Sequence, residues 1–87
     1  MKKRVYSKKY KEIHTSVKKR DEYRCGLCRK YTRRGQVHHI YRYADNVILR
    51  EHERNLIYLC YSCHNKIKDK EEYYAPMLMD RVREKYR

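Results

Sequence analysis

Leu59-Cys60-Tyr61-Ser62-Cys63-His64-Asn65 holds two cysteines three positions apart, and Cys25-Gly26-Leu27-Cys28 holds a matching pair. In a Cys-x-x-Cys knuckle two sulfurs of one turn point at a single ion, and two knuckles complete a tetrahedral zinc site. Matched pairs in a chain kept reduced favour metal over disulfides. Unrelated redox thiols are the alternative, and they leave the pairing unexplained. The stretch between Cys28 and Cys60 is longer than a compact zinc ribbon allows, so an intervening hairpin must bring the pairs together. That arrangement is treble-clef-like. Gly26 is expected to permit the first turn.

Between the knuckles stands Val37-His38-His39-Ile40, and His64 follows the second knuckle directly. Four sulfurs satisfy one zinc, so these histidines are free for another ion or for chemistry. Gln36 to Ile40 reads as a short strand. Successive strand residues face opposite ways. His38 and His39 can therefore serve one site only from a bent strand or from its edge, which calls for a distorted hairpin.

The flanks supply helices. Residues 7 to about 22 read as a helix with Ser7 as cap and Tyr10, Ile13, His14 and Val17 on one face. A second helix runs from about Cys60 to Lys70. Pro76 suits a first turn, which predicts a last helix over 76–86 with Leu78, Val82 and Tyr86 on its inward stripe. Arg33-Arg34-Gly35 is a turn. Residues 41–54 read as a polar loop with a short second strand around Val47 to Leu49, and Leu56 to Leu59 leads into the second knuckle.

At 87 residues this is a single domain (1–87, core about 25–70), and a chain this short often needs a staple. Phe and Trp are absent, 40% of residues are charged and eleven tyrosines supply the aromatic bulk. The formal net charge of +13 stays strongly positive when four thiolates and one divalent ion are counted. A field of that sign draws polyanions. No apolar run follows Met1-Lys2-Lys3-Arg4, and none is long enough for a membrane span. The expectation is a cytoplasmic protein with no membrane partner.

The order of knuckle, His38-His39, Asn55-Leu56, knuckle and His64 resembles the HNH endonuclease family, in its subgroup with a four-cysteine zinc site. The resemblance runs from about Cys25 to Lys68. It implies a small α+β, zinc-stapled domain with a ββα-metal core and flanking N- and C-terminal helices. It further implies that His38 and His64 bind a catalytic divalent cation, that His39 is the general base and that Asn55 braces the loop and orients that base. The implied reaction is hydrolysis of DNA phosphodiester bonds to 5′-phosphate and 3′-hydroxyl ends. An imidazole with its ordinary pKa of about 6.5 is a usable base at neutral pH. The His-rich set suits Mn2+, Ni2+ or Zn2+ as well as Mg2+.

Each residue also has an ordinary reading by itself. His38 or His39 can be an inert strand histidine, His64 a surface residue or a substitute zinc ligand, and Asn55 a turn former. His14 and His52 fall outside the pattern and are read as non-catalytic. Asp45 and Glu51 are possible extra oxygen ligands, although loop carboxylates are usually solvated.

Arg29, Lys30, Arg33, Arg34, Arg42, Lys66 and Lys68 surround the motif and are the expected phosphate contacts, conferring affinity without sequence choice. The N-terminal segment adds Lys2, Lys3, Arg4, Lys8 and Lys9. Tyr31, Tyr41 and Tyr43 are placed to stack on bases or to fill the core. A non-catalytic zinc module that binds nucleic acid is the competing function, since it needs only the cysteines and the charge. The resemblance also suggests a phage or mobile-element setting, in some cases beside DNA-packaging proteins. A monomer with one site would nick, and pairing through the last helix would allow cleavage of both strands.

Overall fold

The structure, a computed structural model, describes residues 8–42 and 46–87, and at Lys8 the backbone alone. Ser7, Lys2, Lys3, Arg4, Tyr43 and Asp45 lie outside the described residues. In chain order the elements are α1 (Lys8–Arg20), β1 (Gly35–His39), α2 (Val47–Arg50), a 3-10 turn (Glu53–Asn55), β2 (Leu56–Cys60), α3 (Tyr61–Ile67) and α4 (Glu71–Glu84). The architecture is α+β, a two-stranded antiparallel sheet with helices packed around it.

β1 pairs with β2 in regular register from Gly35 opposite Cys60 to His39 opposite Leu56. The partner strand is therefore Leu56–Cys60, and not the Val47–Leu49 segment read as a short second strand. Val47–Arg50 is one helical turn instead, because the Asn46 side chain caps it by accepting from the Leu49 N–H at 3.1 Å. β2 is buried along its whole length, as a short continuous apolar run between turn signals should be.

The outer edge of β2 is covered by neighbouring chain. The Tyr58 N–H donates to Asp21 Oδ2 at 3.0 Å. The Tyr58 carbonyl accepts from the Gly26 N–H at 2.8 Å, and the Leu56 carbonyl accepts from Arg20 Nη2 at 2.8 Å. Arg20 and Asp21 thus fasten the end of α1 to the strand, and a sheet edge satisfied this way offers no template for another chain.

Gly26 is not the turn-former that the knuckle suggested. No glycine has positive φ, and among the described residues the left-handed ones are Glu22, Tyr23 and Arg29. Gly26 is needed for close approach, since a Cβ there would press on the Ile57 side chain. Gly35 lies against backbone as well as side chain. A Cβ would lie 2.6 Å from the Leu59 carbonyl oxygen and 2.6 Å from Tyr58 Cζ. A strand carbonyl cannot swing aside, so Gly35→Ala is expected to destabilise the chain by about 1–3 kcal/mol in chemical denaturation. Unchanged stability would mean that β1 and β2 can separate without cost.

α4 begins at Glu71 and carries Pro76 inside it, so the start expected at Pro76 is corrected. Pro76 forgoes one helical hydrogen bond, to the carbonyl of Glu72. Burial of Ala75, Leu78 and Val82 on one stripe holds the helix to the core, and Glu71 and Glu72 suit its N-terminal dipole. Among the described residues, no helix is long and apolar enough to cross a membrane.

Candidate functional site

The first knuckle sits in a hairpin turn. The Cys25 N–H donates to the Lys30 carbonyl at 2.8 Å, the Arg29 N–H returns to the Cys25 carbonyl at 2.9 Å, and Arg24 bridges Tyr31. Backbone N–H groups of Leu27 and Cys28 point at Cys25 Sγ from 3.3 and 3.4 Å. The second knuckle joins the end of β2 to the first turn of α3. Cys28 Sγ lies 3.9 Å from Cys60 Sγ, and the four sulfurs of Cys25, Cys28, Cys60 and Cys63 all lie within 4.8 Å of one another. Sulfurs bound to one zinc at about 2.3 Å stand a little under 4 Å apart, so the set fits a tetrahedral ion. Burial opposes ionisation of Cys25, but the backbone N–H groups of Cys28, Cys60 and Leu27 outweigh it and lower its pKa. Burial and the three neighbouring sulfurs push Cys63 up. A cation among the sulfurs would relieve that crowding.

The two adjacent histidines part company. Regular pairing through His39 preserves strand alternation, so the distorted hairpin expected from the sequence is absent. His38 turns toward α3, where its ring meets His64 edge-on with centroids 5.5 Å apart. It is 6% exposed, and its Nε2 has no hydrogen-bond partner. Burial, then the neighbouring His64, His39 and Arg42, pushes its pKa down to about 4. His38 is accordingly a neutral imidazole at physiological pH, with an unmet nitrogen beside a second imidazole. That is a donor set a borderline divalent ion would complete.

His39 turns the other way, toward α1. Its Nε2 lies 2.9 Å from Glu51 Oε2. A carboxylate only accepts, so the imidazole N–H donates and the lone pair resides on Nδ1. The other carboxylate oxygen, Oε1, is 2.8 Å from His14 Nε2. Glu51 is 1% exposed, which corrects the expectation of a solvated loop charge. Burial opposes its ionisation, and the hydrogen bonds from His14 and His39 outweigh burial and hold its pKa below the ordinary carboxylate value.

Asn55 is buried. Its Oδ1 accepts from the Tyr41 N–H, and its Nδ2 donates to the Tyr41 carbonyl, each at 2.9 Å, and to the Arg50 carbonyl at 3.0 Å. It ties the chain leaving β1 to the turn that carries Glu51. The group hydrogen-bonded to His39 is Glu51 rather than Asn55. The sequence pattern leaves His14 as non-catalytic and Glu51 as a possible loop ligand, whereas the fold brings both to His39. The available signal was His14 itself, a polar residue on the inward stripe of α1.

Arg29, Lys30, Arg33, Arg34, Arg42, Lys66 and Lys68 are all exposed. Arg33 stacks over the Tyr23 ring at 4.1 Å, while Arg42 pairs with Glu71 at 3.2 Å. Tyr31 and Tyr41 are exposed, whereas Tyr58 is fully buried and donates to the Thr32 carbonyl at 2.6 Å.

Residues 24–70, more than half of the chain, match the family model described as HNH endonuclease. The match covers both knuckles, His38, His39, Glu51, Asn55 and His64, and leaves α1 and α4 outside. No curated protein and no solved structure matches the chain.

Proposed function

We propose, for a chain that belongs to the HNH endonuclease family, that it hydrolyses DNA phosphodiester bonds at the end of β1. The observation that carries the reading is the buried, unpartnered Nε2 of His38 facing His64. This pair would hold a divalent cation, which supplies charge neutralisation for the phosphate and for the departing oxygen.

His39 takes the part of general base. Its Nε2–H is committed to Glu51, so Nδ1 is the nitrogen that can accept a proton from water. The water oxygen forms a bond to phosphorus, its proton passes to Nδ1, and the bond from phosphorus to O3′ breaks. O3′ leaves with a proton from solvent, giving 3′-hydroxyl and 5′-phosphate ends. Glu51 orients the base and stabilises the imidazolium, and Asn55 holds the turn that delivers Glu51.

His38 and His39 face opposite sides of β1. The scissile phosphate therefore lies across the strand end, where the chain leaves the sheet after His39. Arg29, Lys30, Arg33, Arg34, Lys66 and Lys68 would carry the flanking phosphates. DNA is the proposed partner.

The test is relaxation of supercoiled plasmid by the zinc-loaded chain with Mg2+, Mn2+ or Ni2+ added, against the same protein with none. Omitting the ion, rather than chelating it, leaves the four-cysteine site loaded. Cleavage should require the added ion, and His38→Ala should need a higher concentration of it. Absence of cleavage with every ion would leave a nucleic-acid-binding zinc module.

A further inference from the structure

We infer that His14, His39 and Glu51 form a separate site for a borderline divalent ion such as Zn2+, and that an ion there blocks the base. The three ligands come from three places in the fold: α1, the end of β1, and the residue that follows α2. Their donor atoms lie within 4.8 Å of one another. Atoms bound tetrahedrally to one ion at about 2.1 Å stand about 3.4 Å apart, so closure takes an adjustment of roughly 1 Å. Two imidazoles and one carboxylate are a ligand set for Zn2+, Ni2+ or Co2+ rather than for Mg2+.

The burial argues for a built feature. Glu51 is 1% exposed in a core that has little room for a charge, and each of its oxygens is met by a histidine. The two histidine side chains are 21% and 24% exposed, so an ion would reach the ligands from solvent and keep open positions there. Arg50 Nε stands 3.7 Å from Oε2, beyond hydrogen-bond distance. Binding would exchange two N–H···O contacts for three ligand bonds and displace both Nε2 protons, that of His39 moving to its own Nδ1. His39 would then have no lone pair for water. That consequence rests on the nuclease reading, whereas the site itself does not. His14 lies outside the span that matches the family, so the site depends on α1 of this chain.

The decisive experiment is a Zn2+ titration of the full chain, zinc-loaded at the cysteines and carrying His38→Ala and His64→Ala to remove the other histidine pair. Circular dichroism first checks that the variants fold. This protein is expected to bind one further Zn2+, and adding His14→Ala should weaken that binding by at least about tenfold, the minimum cost of losing a supporting group at a metal site. Equal affinity with and without His14, or no further Zn2+ in the starting protein, would overturn the inference. In the otherwise unmodified chain, Zn2+ should inhibit Mg2+-supported cleavage, and His14→Ala should move the midpoint upward by a similar factor relative to its own zinc-free rate. A chain that cleaves no DNA defeats the nuclease reading and leaves the titration result standing.

Discussion

His39→Ala should reduce ion-dependent plasmid cleavage by at least about 10²-fold, the lower end of what a positioned general base contributes. The effect should fall on turnover and leave DNA affinity intact, because the exposed arginines and lysines provide that affinity. Structure predicts a second, smaller consequence. Removing the imidazole takes one of the hydrogen-bond partners from a carboxylate that is 1% exposed, at a cost of about 1–3 kcal/mol. His14 still holds the other oxygen, so the fold should survive with a lower melting temperature. Rates must therefore be compared well below both melting points, with zinc content checked. Full cleavage by the folded variant would take the base role away from His39.

The parts of this site that were legible in the sequence are those whose chemistry fixes their spacing. Cys25 and Cys28, or Cys60 and Cys63, can meet one ion only from a single turn, and that geometry appears as x-x between the letters. His38, His39 and His64 were visible through their order relative to the knuckles. Glu51 was visible as a residue but not as a buried one. Its partner His14 is 37 positions away, and no local pattern announces that α1 folds back over that turn. The Arg20–Asp21 clamp on β2 was hidden for the same reason. Pro76 misled because its local preference for a first turn is weak beside the burial of Ala75, Leu78 and Val82. Val47–Leu49 misled because strand propensity is largely a statement about packing, and this segment is exposed. The alternation rule, by contrast, was right about the strand. It was the assumption that both histidines must face one way that required distortion. A phosphate seated across the strand end needs none.

Removing zinc should abolish the fold. Apparent binding energies of structural zinc are about 10–16 kcal/mol in small domains, comparable with the whole stability of a typical domain, about 5–15 kcal/mol. Here the four-cysteine site is not peripheral. Cys25, Cys60 and Cys63 belong to the buried core, packed with Ile40, Ile57, Leu59, Ile67 and Leu78. The two knuckles also connect the pieces that make the site: the hairpin before β1, the end of β2, and α3 with His64. Without the ion, sulfurs gathered within 4.8 Å have only weak contacts with one another, and the few remaining aliphatic residues must order the chain alone. Chelation under acid, followed by return to neutral pH, should therefore give a chain without cooperative thermal unfolding and with little helical circular dichroism at 222 nm. Stoichiometric Zn2+ should restore both. Cys60→Ser should fail to recover them, since Cys60 ends the strand and begins the helix at once. A metal-free chain that melts cooperatively within a few degrees of the loaded one would show that hydrophobic burial suffices. It would also mean that His38 and His64 are brought together by α3 packing alone, without the ion.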